Sequence, residues 1–135
     1  MPEVPILPVV VAAVAAFALS STYYVVFTER LAELSDAYAG GGQPPPWKLA
    51  VEGARCLILA AVVAGLAVQG EIDEWTGGLL LGLALWIGFP VVLWVGAVLW
   101  ERTPPALAAI HAGDWLAKLL LVAVIVSVWQ GGGTS

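Results

Sequence analysis

Five ionisable residues lie inside otherwise apolar stretches of this chain: Glu52, Arg55, His111, Asp114 and Lys118. A charged side chain is costly in hydrocarbon and, where one occurs, it faces another charge or a polar cavity. The spacing here allows that. Glu52 and Arg55 are three residues apart, and at 100° per residue His111, Asp114, Trp115 and Lys118 fall on one helix face. Together with Tyr23 and Tyr24 from a third segment, these groups are expected to form one polar layer. Two kinds of chemistry suit such a layer. One is a proton or ion relay through His111 and Asp114, in a small oligomeric transporter or channel. The other is a network of buried ion pairs that fixes helix packing and helps recognise a lipid or small ligand. A third constellation sets Cys56 as nucleophile, His111 as base and Asp114 as orienter, with Arg55 beside the thiol. No oxyanion donors or substrate-binding motif accompany it, and a lone cysteine in an apolar helix is ordinarily filler. The chain is therefore read as a non-enzymatic membrane protein, an accessory or scaffold or a binder of lipids or small ligands. One His and one Cys do not supply a four-ligand zinc site, so no metal or cofactor is expected.

The elements that must hold these residues are membrane spans. Of 135 residues, 61% are hydrophobic and 11% charged, against about 25% charged in ordinary soluble domains; mean hydropathy is +0.94. Residues 1–135 form one transmembrane domain with membrane lipids around it. A net charge of −5 with only five Lys and Arg leaves no basic footprint for nucleic acid. Four apolar runs, near 6–27, 49–69, 76–100 and 105–129, are each long enough to cross about 30 Å of hydrocarbon at 1.5 Å per residue. The predicted fold is an all-α, up-down bundle of four transmembrane helices.

Within those runs, smaller signals concern packing. Ala12, Ala16 and Ser20 recur every four positions, and Gly78-x-x-x-Gly82 is a close-approach motif; each serves either a homo-oligomer or the bundle of one subunit. Gly88-Phe89-Pro90 is expected to kink the third span, because Pro90 cannot donate a bond to residue 86. Trp86, Phe89 and Trp94 beside it are candidates to line an apolar pocket, or else to face lipid. Thr103 reads as the N-cap of the fourth span, with proline opening it. Residues 28–48 form a loop containing a short interfacial helix, Thr28 to Tyr38, and a Gly/Pro linker, Gly40 to Pro46. Residues 130–135 read as a disordered tail.

Sidedness follows from the basic residues. Arg30, Lys48 and Arg102 lie in the first and third loops, whereas the second loop carries Glu71, Asp73 and Glu74 and no Lys or Arg. The positive-inside rule places the first and third loops in the cytoplasm and both termini outside, in a bacterial inner membrane. Partners in that setting are lipids, a second copy, or another membrane protein.

Several stretches also resemble a bacterial family of small four-helix membrane proteins, domain of unknown function 1761. They are Val11-Ala12-Ala13-Val14-Ala15-Ala16-Phe17 leading to Tyr23-Tyr24, Gly82 through Gly88-Phe89, and Ile110-His111-Ala112-Gly113-Asp114-Trp115-Leu116. The chain departs from the family pattern at His111, where asparagine is usual, and at Asp114, where tyrosine is usual. The resemblance implies four spans and brings no activity with it.

Overall fold

The computed structural model describes residues 4–35 and 45–131. Its elements are α1 (Ile6–Val26), α2 (Thr28–Leu34), α3 (Pro46–Gln69), α4 (Trp75–Trp86), a π-helical turn (Ile87–Val91), α5 (Val92–Trp100) and α6 (Pro105–Gly131). Counting α4, the π turn and α5 as one span, four helices are long and apolar enough to cross a membrane. The protein is thus an all-α membrane protein with the four spans expected, with bounds shifted by a few residues. α3 starts at Pro46 rather than Leu49, since proline suits the first helical turn, where its missing N–H is not needed. The last member of the proline run therefore belongs to the helix rather than to a linker; residues 40–44 lie outside the described residues. α2 is shorter than expected, with Leu31 as its buried contact; the expected continuation through Asp36 to Tyr38 also lies outside them.

Two terminal expectations are corrected. Gln130 and Gly131 are the last residues of α6 rather than part of a disordered tail, and the Gln130 amide donates to Ala67 O at 3.5 Å. Residues 132–135 lie outside the described residues. Thr103 stands two places before the first residue of α6, so it is not the N-cap; its backbone N–H instead goes back to Ala97 O. Pro105 does open the helix.

Packing is not that of a symmetric bundle. α6 is the one span packed extensively against the three others: α1 and α3 lie against it and against each other, while α4 and α5 lie chiefly against α6. Small residues make this possible. Ala12, Ala16, Ala60, Val122 and Ala123 are fully buried where α1, α3 and α6 meet, letting the backbones approach closely. On the other side, a Cβ at Gly78 would lie 2.8 Å from Ala123 O, and one at Gly82 would lie 2.9 Å from Leu119 O. The Gly-x-x-x-Gly motif therefore seats α4 on α6 of the same chain. Pro90 sits in the wider π turn, which is how the third span absorbs the missing donor.

Candidate functional site

The N-terminal half of α6 is the meeting point of side chains from α1, α4 and α5. Tyr23 OH donates to Ile110 O at 2.6 Å and the Trp86 indole N–H donates to Ala112 O at 2.8 Å. Both carbonyls lie within the helix, so each takes an additional bond on its second lone pair. Gly113 clears the space for the first of these, since a Cβ there would collide with the Tyr23 hydroxyl. Tyr24 OH and His111 Nδ1 are 2.6 Å apart, and the imidazole stacks on Trp94 with ring centroids 4.8 Å apart. Tyr23 closes the cluster with an edge contact to Tyr24 and a tilted one to Phe27. Aromatic rings thus hold α6 from two sides, with the polar tips of Tyr23 and Trp86 given to α6 backbone and that of Tyr24 to His111.

One turn further along, Lys118 Nζ meets Asp114 Oδ2 at 3.0 Å, and the two side chains are 7% and 2% exposed. The Lys118 ammonium also lies 4.2 Å from the centroid of the Trp115 ring. This arrangement leaves the opposite charges neutralised inside one helix. Asp114 Oδ1 and Trp94 Nε1 are buried with no hydrogen-bond partner among the described residues.

Glu52 and Arg55 are placed differently from expectation. They form an ion pair with each other along α3, with side chains 46% and 55% exposed. Among the described residues, no hydrogen bond or salt bridge connects them to Asp114 or Lys118. The polar groups are arranged as a buried cluster on α6 and a half-exposed pair on α3, with Cys56 within electrostatic reach of both. The reason is angular. Cys56, buried beside the pair, takes the inward-facing position of α3, and Glu52 and Arg55 lie about 40° and 100° round the helix from it, both toward the same open side. Both pairs close within their own helix.

The thiol of Cys56 is buried and lies within electrostatic reach of both Asp114 and Lys118. No group of three or more His, Cys, Asp and Glu placed to hold a metal ion occurs among the described residues. The expected aromatic pocket at Pro90 is likewise divided: Trp86 and Trp94 turn onto α6, whereas Phe89 faces outward at 68% exposure. A groove of about 360 Å³ lies elsewhere, between α1 and α3, lined by Val10, Val14, Phe17, Leu49, Gly53 and Leu57. The structural roles of Trp86, Trp94 and Gly113 are not evident from the sequence. The available signal is that a tryptophan N–H deep in a membrane span needs an acceptor.

Fold and site together define a four-span, all-helical integral membrane protein built on a buried polar and aromatic cluster. Within that class, the family model described as protein of unknown function (DUF1761) matches residues 7–127, and the chain belongs to that family. The match includes all three parts of the α6 cluster, Tyr23–Tyr24, Trp86–Trp94 and Ile110–Lys118. No curated protein and no solved structure matches the chain.

Proposed function

We propose that this is a non-enzymatic accessory membrane protein that binds a lipid, with the α6 cluster acting as its structural lock. The carrying observation is the groove between α1 and α3. Its walls are apolar, it opens to the surface that faces hydrocarbon, and Gly53 leaves it unobstructed: a Cβ at that position meets nothing within 4 Å. The occupant that such a groove suits in a bilayer is one acyl chain. The buried charges support a packing role. Asp114 and Lys118 neutralise each other, and beyond them α1, α3 and α6 close into an apolar core of Val9, Ala12, Ala60, Val63, Val122 and Val126. Among the described residues, the next buried polar residue beyond Lys118 on α6 is Ser127, about 13 Å along the helix, which leaves a gap in a path for an ion or proton.

In this reading the membrane is a bacterial inner membrane, with the loops bearing Arg30, Lys48 and Arg102 on the cytoplasmic side and both termini outside. Native mass spectrometry of gently solubilised protein tests the binding. The wild type is expected to retain a lipid, and Gly53→Leu, whose Cβ meets nothing within 4 Å, is expected to release it with no loss of thermal stability. Equal retention by both proteins refutes the groove as the site. A second reading, a proton- or ion-coupled transporter, draws on Asp114 Oδ1, a buried acceptor without a donor among the described residues. It requires Asp114→Asn to abolish flux in proteoliposomes while the variant still folds.

A further inference from the structure

The outer face of α3 carries a repeat that the lipid-binding reading does not use. Lys48, Glu52, Arg55, Leu59, Val62, Leu66 and Gln69 follow one another at intervals of four and three residues. That is the heptad spacing of a helix seam, which keeps one stripe facing a neighbouring helix over its whole length. In a seam within the subunit these residues would be covered. Leu59 is partly buried against the core and marks the inner edge of the stripe, but Glu52 and Arg55 are about half exposed, Val62 is 56% exposed and Leu66 41% exposed, and α4 and α5 pack on α6 on another side.

The depth of the ion pair makes the open face costly. At 1.5 Å per residue, Glu52 lies about 9 Å and Arg55 about 13 Å along α3 from Pro46. Both are therefore inside the span rather than at its end, exposed to a medium in which charged groups are rare unless covered by protein. The pair is also self-complementary, since one helix face offers one carboxylate and one guanidinium of equal and opposite charge.

We infer that this α3 face is the interface of a parallel homodimer, in which each Arg55 bridges its own Glu52 and the Glu52 of a second copy. Two copies inserted in the same orientation are related by a two-fold axis along the membrane normal. That axis brings the two α3 helices together in parallel and puts both ion pairs at the same depth. The guanidinium has five donors in a planar fork and can serve two carboxylates, which the ammonium of a lysine does less well. The four charges sum to zero. Leu59, Val62 and Leu66 continue the contact through the apolar part of the bilayer, and Lys48 and Gln69 end it near the two boundaries.

Charge reversal tests this in the full-length protein reconstituted in nanodiscs, with subunit number read by single-molecule photobleaching. The wild type is expected to be dimeric. Glu52→Arg leaves four positive charges at the seam and Arg55→Glu leaves four negative ones, so each variant alone is expected to lose dimer affinity by at least about tenfold. Mixed before reconstitution, the two are expected to recover it as a heterodimer. A monomeric wild type, unchanged dimers of either variant, or a mixture that fails to associate overturns the inference. A wild-type monomer that retains an anionic lipid at Arg55 overturns it too, and assigns the pair to a headgroup instead. If a reversed variant does not insert, a second measurement keeps the native charges. In a Cys56→Ser background, Val62→Cys should be linked to its counterpart by a short bis-maleimide and Leu80→Cys on α4 should not. The reverse pattern refutes the interface.

Discussion

Replacing Gly82 with alanine adds one methyl group, and the surroundings fix what it must cost. The new Cβ would lie 2.9 Å from Leu119 O and 3.1 Å from both Leu119 C and Leu120 Cα. All three are backbone atoms of α6, so no side chain can swing aside. Relief requires α4 to retreat by about half an ångström, a gap that forfeits about a quarter of the attraction between facing atoms along the contact. Overpacking of this kind costs about 1–3 kcal/mol. Alanine returns about 1 kcal/mol through its higher helix propensity, so the expected net loss is about 1 kcal/mol. Gly96→Ala on α5 is the internal control, because its Cβ meets nothing within 4 Å. It keeps the propensity gain without the clash. The difference between the two variants isolates the close approach of α4 to α6, about 1–3 kcal/mol. The chain carries its own reporter: its one cysteine, Cys56, is buried, so a thiol-reactive fluorophore lights up as the protein unfolds on heating. If Gly82→Ala melts at or above Gly96→Ala, the α4–α6 contact described above is wrong.

Three further outcomes follow from the same structure. Asp114→Leu or Lys118→Leu alone should cost about 3–5 kcal/mol, because each strands a buried charge, whereas the double replacement should recover most of the loss; the thermal assay at Cys56 reads all three. Tyr23→Phe should cost about 1 kcal/mol through the lost bond to Ile110 O. Because a Cβ at Gly113 meets that same hydroxyl, the losses from Tyr23→Phe and Gly113→Ala should fall short of additivity in a double-mutant cycle. Glu71 and Arg102 have φ of 53° and 57°, a left-handed conformation that costs about 1–2 kcal/mol for a residue with a Cβ. Glu71→Gly and Arg102→Gly are each expected to raise the melting temperature, and a fall at either position contradicts the turn geometry.

The spans were legible in the sequence because membrane crossing depends on length and apolarity, and four runs have both. The attachment of Tyr23 and Tyr24 to α6 was legible in part: the polar groups at the end of α1 and in the first half of α6 share a depth. Depth puts Glu52 and Arg55 beside that layer but says nothing about azimuth. Two residues at the right height still face whichever way α3 is turned, and that rotation is set by Cys56, Ala60 and Val63 packing inward. Trp86 and Trp94 were read as one feature with Phe89 because they are neighbours in sequence. The π turn at Pro90 shifts the helical phase between them, so Phe89 points away from the rings before and after it. The glycine motif on α4 was ambiguous for a similar reason: a close-approach signal does not name the helix that approaches.

The central position of α6 has a consequence for how the protein is made. Ribosomes deliver helices in order, and this one is the last of the four spans to emerge. α1 and α3 can pair beforehand through their alanines, but the α4–α5 span has its packing surface chiefly on α6. Until α6 has emerged, the grooved face around Gly78 and Gly82 is bare in the membrane, and Tyr23 and Trp86 lack the carbonyls they will bond. A nascent chain arrested before residue 105 therefore has its third span without a packing partner, open to capture by a membrane insertase or protease. The fourth span gives that surface its partner.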